Sequence, residues 1–292
     1  MTMPTEPTPP GVHVVQTVDS PALDVFRHLK DKHLKCREGL FIAEGLEVVR
    51  RMLRSRFRAH SLLLTPGKLE RLSEDIPADV PVFVTTVEQM EAIAGFTIHR
   101  GAVACGIRQP PLDLDAAVAA AGDTRLVVVL EGICDAQNVG VILRNAAAFG
   151  AGLVLLSGCC DPFYRRAVRV SMGNVFRLPI LQTDRLVEEV QALRRRLDLE
   201  LIAADVSSGA TPLDRAPRPP HIALLFGAEG DGLSPALLDV CNHRVVIPMR
   251  PGTDSVNVAV ASGIFLHAYS ASTTAASALI GSASTKRVAA CE

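Results

Sequence analysis

The chain has 292 residues, 48% of them hydrophobic, a mean hydropathy of +0.26 and a net charge of −1. That is enough apolar material for one large domain or two ordinary ones, and so balanced a charge excludes recognition of nucleic acid by bulk electrostatics alone. No apolar run reaches the roughly 18 residues that span a bilayer, and seven scattered cysteines without paired ligand spacing speak against a secreted disulfide scaffold, which fits a reducing cytoplasm.

The first elements in chain order are a tail and a basic segment. Met1–Gly11 is rich in proline and threonine and lacks the basic-then-apolar pattern of a signal peptide, so residues 1–18 are expected to be a disordered tail. Between Arg27 and Arg58, ten Lys or Arg residues stand against four acids, a local charge of +6. Such a segment either attracts phosphate by counterion release or is a solvated helix face. Pro21–Ile107 reads as a small mixed α/β domain, with helical periodicity over Ala43–Arg56 and short strands at Ser61–Thr65 and Val80–Thr85.

Gln109–Asp123, opening Gln-Pro-Pro-Leu-Asp-Leu-Asp and continuing alanine-rich, reads as a linker with room for a short helix. After it, strand-like runs alternate with helical ones: Leu126–Leu130, Leu153–Leu156, Val175–Ile180, Glu200–Ala204, Ile222–Phe226 and Arg244–Ile247. Alternation of this kind implies an α/β fold, a mostly parallel sheet with helices on both faces. The expected boundaries are 19–108 for the first domain, 109–123 for the linker, 124–274 for the second domain and 275–292 for a flexible tail. Cys159-Cys160 reads as two small residues in a loop after a strand, with redox or metal chemistry as the alternative.

Three segments of the second domain set glycines and polar side chains where buried strands give way to helices, the place where open α/β sheets bind ligands. They are Asp135–Gly150, Phe226–Ser234 and Ile247–Gly263. None matches the G-x-G-x-x-G dinucleotide fingerprint, and a phosphate-binding P-loop is absent. Asn138 is placed to cap the helix Val139–Phe149. Arg144 interrupts the same apolar, alanine-rich helix, so it is expected to be a buried guanidinium in need of an acid or phosphate partner, with Glu229 the natural one. Ser255 is placed as the N-cap of the last helix, with Asn257 in its first turn.

The joint pattern resembles a known family. Asn138-x5-Arg144 followed by Phe149-Gly150, then Gly227-x-Glu229-x-x-Gly232-Leu-Ser234, then Ile247-Pro-Met249-x5-Ser255-x-Asn257-Val-x-Val-Ala-x-Gly263-Ile, is similar to the three motifs of the SpoU (TrmH) family of RNA ribose 2′-O-methyltransferases. Val168–Pro179 also looks like this family. Leu29-Lys-Asp-Lys32 and Arg37–Gly45 resemble the start of the ribosomal-protein-like substrate-binding domain that such enzymes often carry. The chain departs from the family at Ala136, where Pro is usual, and at Asn145, where Thr is usual.

The resemblance implies a SPOUT-class fold with a C-terminal trefoil knot, S-adenosylmethionine as cofactor, RNA as substrate and a homodimer formed in part by the last helix, Val256–Ser270. By motif position, Gly227, Ile247, Met249 and Val256 would contact the cofactor, mostly through backbone atoms. Arg144 would act on the 2′-hydroxyl or the adjacent phosphate, Asn138 would hold the motif-one loop, Glu229 would orient Arg144, and Ser255 and Asn257 would shape the pocket. Lys32, Lys35, Arg37 and Arg169 would meet RNA, with ribosomal RNA favoured over transfer RNA. A base methyltransferase on the same scaffold and a non-catalytic RNA-binding or ribosome-assembly protein are the alternatives.

Overall fold

Residues 11–27, 39–95, 101–250, 252 and 255–281 are described in the computed structural model. The strands are β1 (Gly11–Val14), β2 (Leu40–Glu44), β3 (Ala59–Leu64), β4 (Pro81–Val84), β5 (Ala102–Ile107), β6 (Leu126–Glu131), β7 (Leu153–Ser157), β8 (Ile180–Gln182), β9 (Glu200–Ala204), β10 (Thr211–Pro212), β11 (Ile222–Phe226) and β12 (His243–Val246). The α-helices are α1 (Leu46–Leu53), α2 (Pro66–Leu72), α3 (Val87–Ala94), α4 (Leu114–Ala121), α5 (Ala136–Ala148), α6 (Arg165–Val170), α7 (Leu186–Leu197), α8 (Pro235–Val240) and α9 (Val258–Gly281). Contacts divide them into two units: the described residues of Met1–Leu112 with Ile133–Ala147 and Gly158–Leu178, and those of Asp113–Gly132, Ala148–Ser157 and Pro179–Glu292.

The first unit is built on a sheet of order β1-β4-β3-β5-β2, in which β5 alone runs against the others. The β1 strand pairs with β4 from Gly11 to Val14, so residues 11–18 of the expected tail contain ordered structure. At the edge of the sheet β1 has β4 as its one neighbour, so the groups of Val12–Val14 that face β4 are paired, which the composition of the segment did not advertise. The helix expected from Ala43 begins later, at Leu46. Ala43 and Glu44 pair with Ala104 and Val103 in the β5 ladder, and Gly45 turns the chain at φ 100°, a conformation outside the helical region. From there Leu46, Val48, Val49 and Met52 bury one face of α1.

Two interactions explain why Gly158–Leu178 packs with this unit. Phe41, Phe57, Phe163 and Phe176 form an aromatic cluster with the Phe41–Phe176 and Phe57–Phe163 ring centroids both 5.3 Å apart. The buried Glu44 carboxylate accepts from Arg165 at 2.6 Å and lies 3.7 Å from Arg169. Within the same segment, Met172 (φ 55°) and Gly173 (φ 76°) reverse the chain, and Asn174–Arg177 form a 3-10 turn. The strand expected at Val175–Ile180 therefore starts only at Ile180, after Pro179, which has no amide hydrogen to give a ladder.

The second unit is an all-parallel sheet of order β10-β12-β9-β11-β6-β7-β8. Every residue of β11 (Ile-Ala-Leu-Leu-Phe) is buried, as are Leu126–Leu130 of β6, the pattern of strands covered on both faces. The linker region holds α4, capped by Asp113, whose side chain accepts from the Ala116 amide. The last helix continues to Gly281, so residues 275–281 of the expected tail are helical. Among the described residues, no helix is long and apolar enough to cross a membrane.

Candidate active site and cofactor cleft

Because all strands of the second unit point the same way, the loops leaving β9, β11 and β12 emerge on one edge. They enclose a cleft of about 430 Å³, inside the range of small-molecule sites. Phe226, Leu233, Leu238, Val245 and Phe265 supply apolar walls, and Phe226 meets Phe265 edge to face at 5.8 Å. Behind Phe265 stands Tyr269, its ring covered by the Arg218 guanidinium at 4.3 Å and its phenol pushed up by burial.

The β11 exit is a tight return. Ala228 and Gly232 exchange backbone hydrogen bonds of 3.1 and 3.0 Å, folding the loop over Gly227. A Cβ on Gly227 would lie 2.1 Å from the Gly232 carbonyl carbon, so only glycine fits. Ser234 then caps α8, its hydroxyl accepting from the Leu237 amide at 3.3 Å. The Ser234 amide donates to Glu131 at 2.7 Å, which ties the end of β6 to this loop.

The β12 exit carries the third motif. Asn257, not Ser255, caps α9: its Oδ1 accepts from the Ala259 amide at 2.9 Å and the Val260 amide at 3.4 Å. The helix begins at Val258, one residue after Asn257, and this sets which side chain can reach the orphan amides. The Asn257 Nδ2 donates to Glu229 at 2.7 Å, so the second and third motifs are joined side chain to side chain. Ser255 and Val256 are exposed and line the cleft with Ile247 and Met249.

The cleft thus gathers seven of the nine catalytic and cofactor residues expected from sequence: Gly227, Glu229, Ile247, Met249, Ser255, Val256 and Asn257. The other two, Asn138 and Arg144, are carried by α5 of the first unit. Asp135, not Asn138, caps α5, accepting from the Gln137 amide at 2.9 Å; Asn138 is buried inside the first turn. Arg144 is exposed, contrary to the buried guanidinium expected. It shares the solvent stripe of α5 with Gln137 and Ala148, at helical spacings, while Ile142, Leu143 and Ala146 are buried. Glu229 has Asn257 as its neighbour instead.

Two acids were missed. Glu131 ends an apolar strand, the one signal that pointed to it. Asp205 follows β9 and lines the cleft, its carboxylate accepting from the Ser207 amide at 3.1 Å and hydroxyl at 2.7 Å. With Glu229 it makes the cleft acidic, for among the described residues no Lys, Arg or His lines it. An apolar slot rimmed by backbone groups and carboxylates, without cations, fits a ligand that joins a purine to a sulfonium.

Of the residues expected to meet RNA, Lys32, Lys35 and Arg37 lie outside the described residues. Arg169 is partly exposed beside Glu44. The described arginines of the basic segment are largely engaged. Arg50 and Arg54 both pair with Asp75, at 3.3 and 2.6 Å. Arg51 donates to the Met172 carbonyl at 2.7 Å, Arg56 to the Leu178 carbonyl at 3.2 Å, and Arg58 lies 3.6 Å from Asp79. Arg54 and Arg58 nevertheless stay 65% and 80% exposed.

Comparison with known proteins agrees with this geometry. Residues 125–267 match the SpoU rRNA Methylase family, and residues 23–103 match the MRM3-like substrate binding domain. A tRNA/rRNA methyltransferase of Mycobacterium tuberculosis is 39% identical over 255 residues, covering 84% of this chain and 87% of its own. The 23S rRNA (guanosine-2′-O-)-methyltransferase of Acinetobacter baylyi is 28% identical, over 68% of this chain and 81% of its own. An AdoMet-bound rRNA methyltransferase from Sinorhizobium meliloti superposes with a TM-score of 0.73 at 25% identity, over 88% of this chain and 97% of its own. The chain belongs to the SpoU (TrmH) family, as an S-adenosylmethionine-dependent RNA ribose 2′-O-methyltransferase with a substrate-binding domain on its N-terminal side.

Proposed function

We propose that this enzyme methylates a 2′-hydroxyl of ribosomal RNA, with residues 19–108 holding the RNA, 109–123 as linker and 124–274 carrying the chemistry. The single observation behind the site assignment is the cleft at the carboxyl edge of the parallel sheet, where Gly227, Glu229 and Asn257 meet. Ribosomal RNA is supported by the 23S rRNA specificity in the name of the Acinetobacter relative.

The cofactor supplies an already activated methyl group, so the protein's work is to orient the hydroxyl and ease loss of its proton. Backbone groups of Gly227, Ile247 and Met249, with Val256, hold the cofactor. Glu229 and Asn257 fix the rim to α9, and Ser255 faces the ribose. Asn138 steadies the start of α5. A guanidinium stays charged, so Arg144 engages the phosphate beside the reacting ribose and stabilises the developing oxyanion. Its exposure favours this reading, because an incoming phosphate can reach it.

The homodimer is supported by an exposed apolar stripe at Val256, Val260 and Ile264, which are 37%, 53% and 37% exposed at helical spacing. The trefoil knot and a cytoplasmic location complete the reading.

The test incubates the enzyme and Arg144→Ala with methyl-labelled S-adenosylmethionine and either ribosomal or transfer RNA, followed by nuclease digestion. Label on ribose in ribosomal RNA, lost in the variant while cofactor affinity is kept, is the expected result. Label on a base, label only in transfer RNA, or absence of cofactor binding overturns it in favour of the corresponding alternative.

A further inference from the structure

The Cys159-Cys160 pair plays no part in the chemistry above, and the fold brings a third cysteine to it. Two glycines, Gly132 and Gly158, end the paired strands β6 and β7, and the ladder runs on past them. The Cys160 amide donates to the Ile133 carbonyl at 2.8 Å. Beyond this point the sulfurs cross between the loops. The Ile133 amide donates to Cys159 Sγ at 3.4 Å, and Cys134 Sγ donates to the Gly158 carbonyl at 3.8 Å. Cys160 Sγ turns instead to the Asp161 carbonyl of its own loop, at 3.7 Å.

Each cysteine thus reaches the residue next to the other, Cys159 at Ile133 and Cys134 at Gly158, which brings both side chains into one gap between the loops. We propose that Cys134 and Cys159 form a reversible disulfide under peroxide, a thiol switch on the motif-one loop.

The atoms balance simply. The exposed Cys134 thiolate attacks one peroxide oxygen, the O–O bond breaks, and hydroxide leaves a sulfenic acid. The Cys159 thiolate then attacks that sulfur, the S–S bond forms, and the S–O bond breaks with loss of water. Two electrons pass from the thiols to peroxide, and a dithiol reverses the step by exchange.

The bond would act on the start of α5. Cys134 directly precedes Asp135, which caps that helix, and Asn138 lies in its first turn. Drawing Cys134 toward the neighbouring loop pulls the cap from its helix. Misplacement of a positioning loop by about 1 Å costs roughly a hundredfold in turnover. This consequence rests on the methyltransferase reading, whereas the linkage itself does not.

Cys105 is buried, and burial pushes the Cys241 thiol up to about 11, so Cys241 does not compete as a thiolate at neutral pH. The test treats the full-length enzyme with hydrogen peroxide and maps peptides without reduction, then assays RNA methylation before and after dithiothreitol. Expected are a peptide joining Cys134 to Cys159 and a roughly hundredfold loss of turnover that dithiothreitol restores. Cys160→Ser should behave as the wild type, and Cys134→Ser and Cys159→Ser should resist peroxide. Absence of the linked peptide, linkage of Cys134 to Cys160, or equal peroxide sensitivity in Cys134→Ser overturns the proposal.

Discussion

The two sheets of this protein treat their polar residues in opposite ways. In the parallel sheet, every strand delivers its exit loop to the same edge, and seven site residues from two distant motifs meet in one cleft. In the mixed sheet, β5 runs against its neighbours, so loops leave from both edges. There the charged side chains spread into ion pairs such as Arg54 with Asp75 and Arg165 with Glu44. Strand direction thus decides whether the exit loops share one edge or divide between two.

Substitutions can break or sharpen that contrast. The largest effect on stability is expected from Glu44→Ala, which leaves Arg165 without its buried partner and should cost about 3–5 kcal/mol in chemical denaturation. If the scaffold reading holds, S-adenosylmethionine affinity of the folded variant, measured by calorimetry, is unchanged. Arg144→Ala should leave denaturation alone and lower the rate of methyl transfer roughly 10²–10³-fold, about 3–4 kcal/mol of transition-state energy. Near-normal turnover would remove Arg144 from the mechanism.

Smaller effects separate cleft residues from one another. Gly227→Ala forces a methyl against the Gly232 backbone and should cost about 1–3 kcal/mol, together with most of the cofactor affinity. Equal binding by this variant would mean that the loop does not touch the cofactor. Asn257→Ala removes the α9 cap and the link to Glu229, an expected loss of about 1 kcal/mol seen as a lower melting temperature. Arg58→Ala, in an exposed pair with Asp79, should shift the melting temperature least of all.

Legibility followed periodicity and spacing. The buried runs at Leu126–Leu130 and Ile222–Phe226 were readable as two-face strands, because continuous apolar residues of that length have few other uses. Glycines at strand exits and the interval from Asn138 to Arg144 were readable because motif spacing is local. Local signals also misled. Alanine tolerates both burial and exposure, so an alanine-rich helix could not reveal that Arg144 faces solvent. Helical periodicity at Ala43 did not register the turn at Gly45, and the apolar Val175–Phe176 is held by a chain reversal at Met172 and Gly173.

By itself, the sequence determined the α/β alternation, the three motifs and the family, since these depend on the order and spacing of residues along one chain. Only the tertiary structure decided which polar groups meet. Asn257 with Glu229, Ser234 with Glu131 and Glu44 with Arg165 are joined across 28, 103 and 121 positions. Over such separations a hydrogen bond depends on strand order and loop direction, and those are set by packing of the whole core and not by any local run of residues.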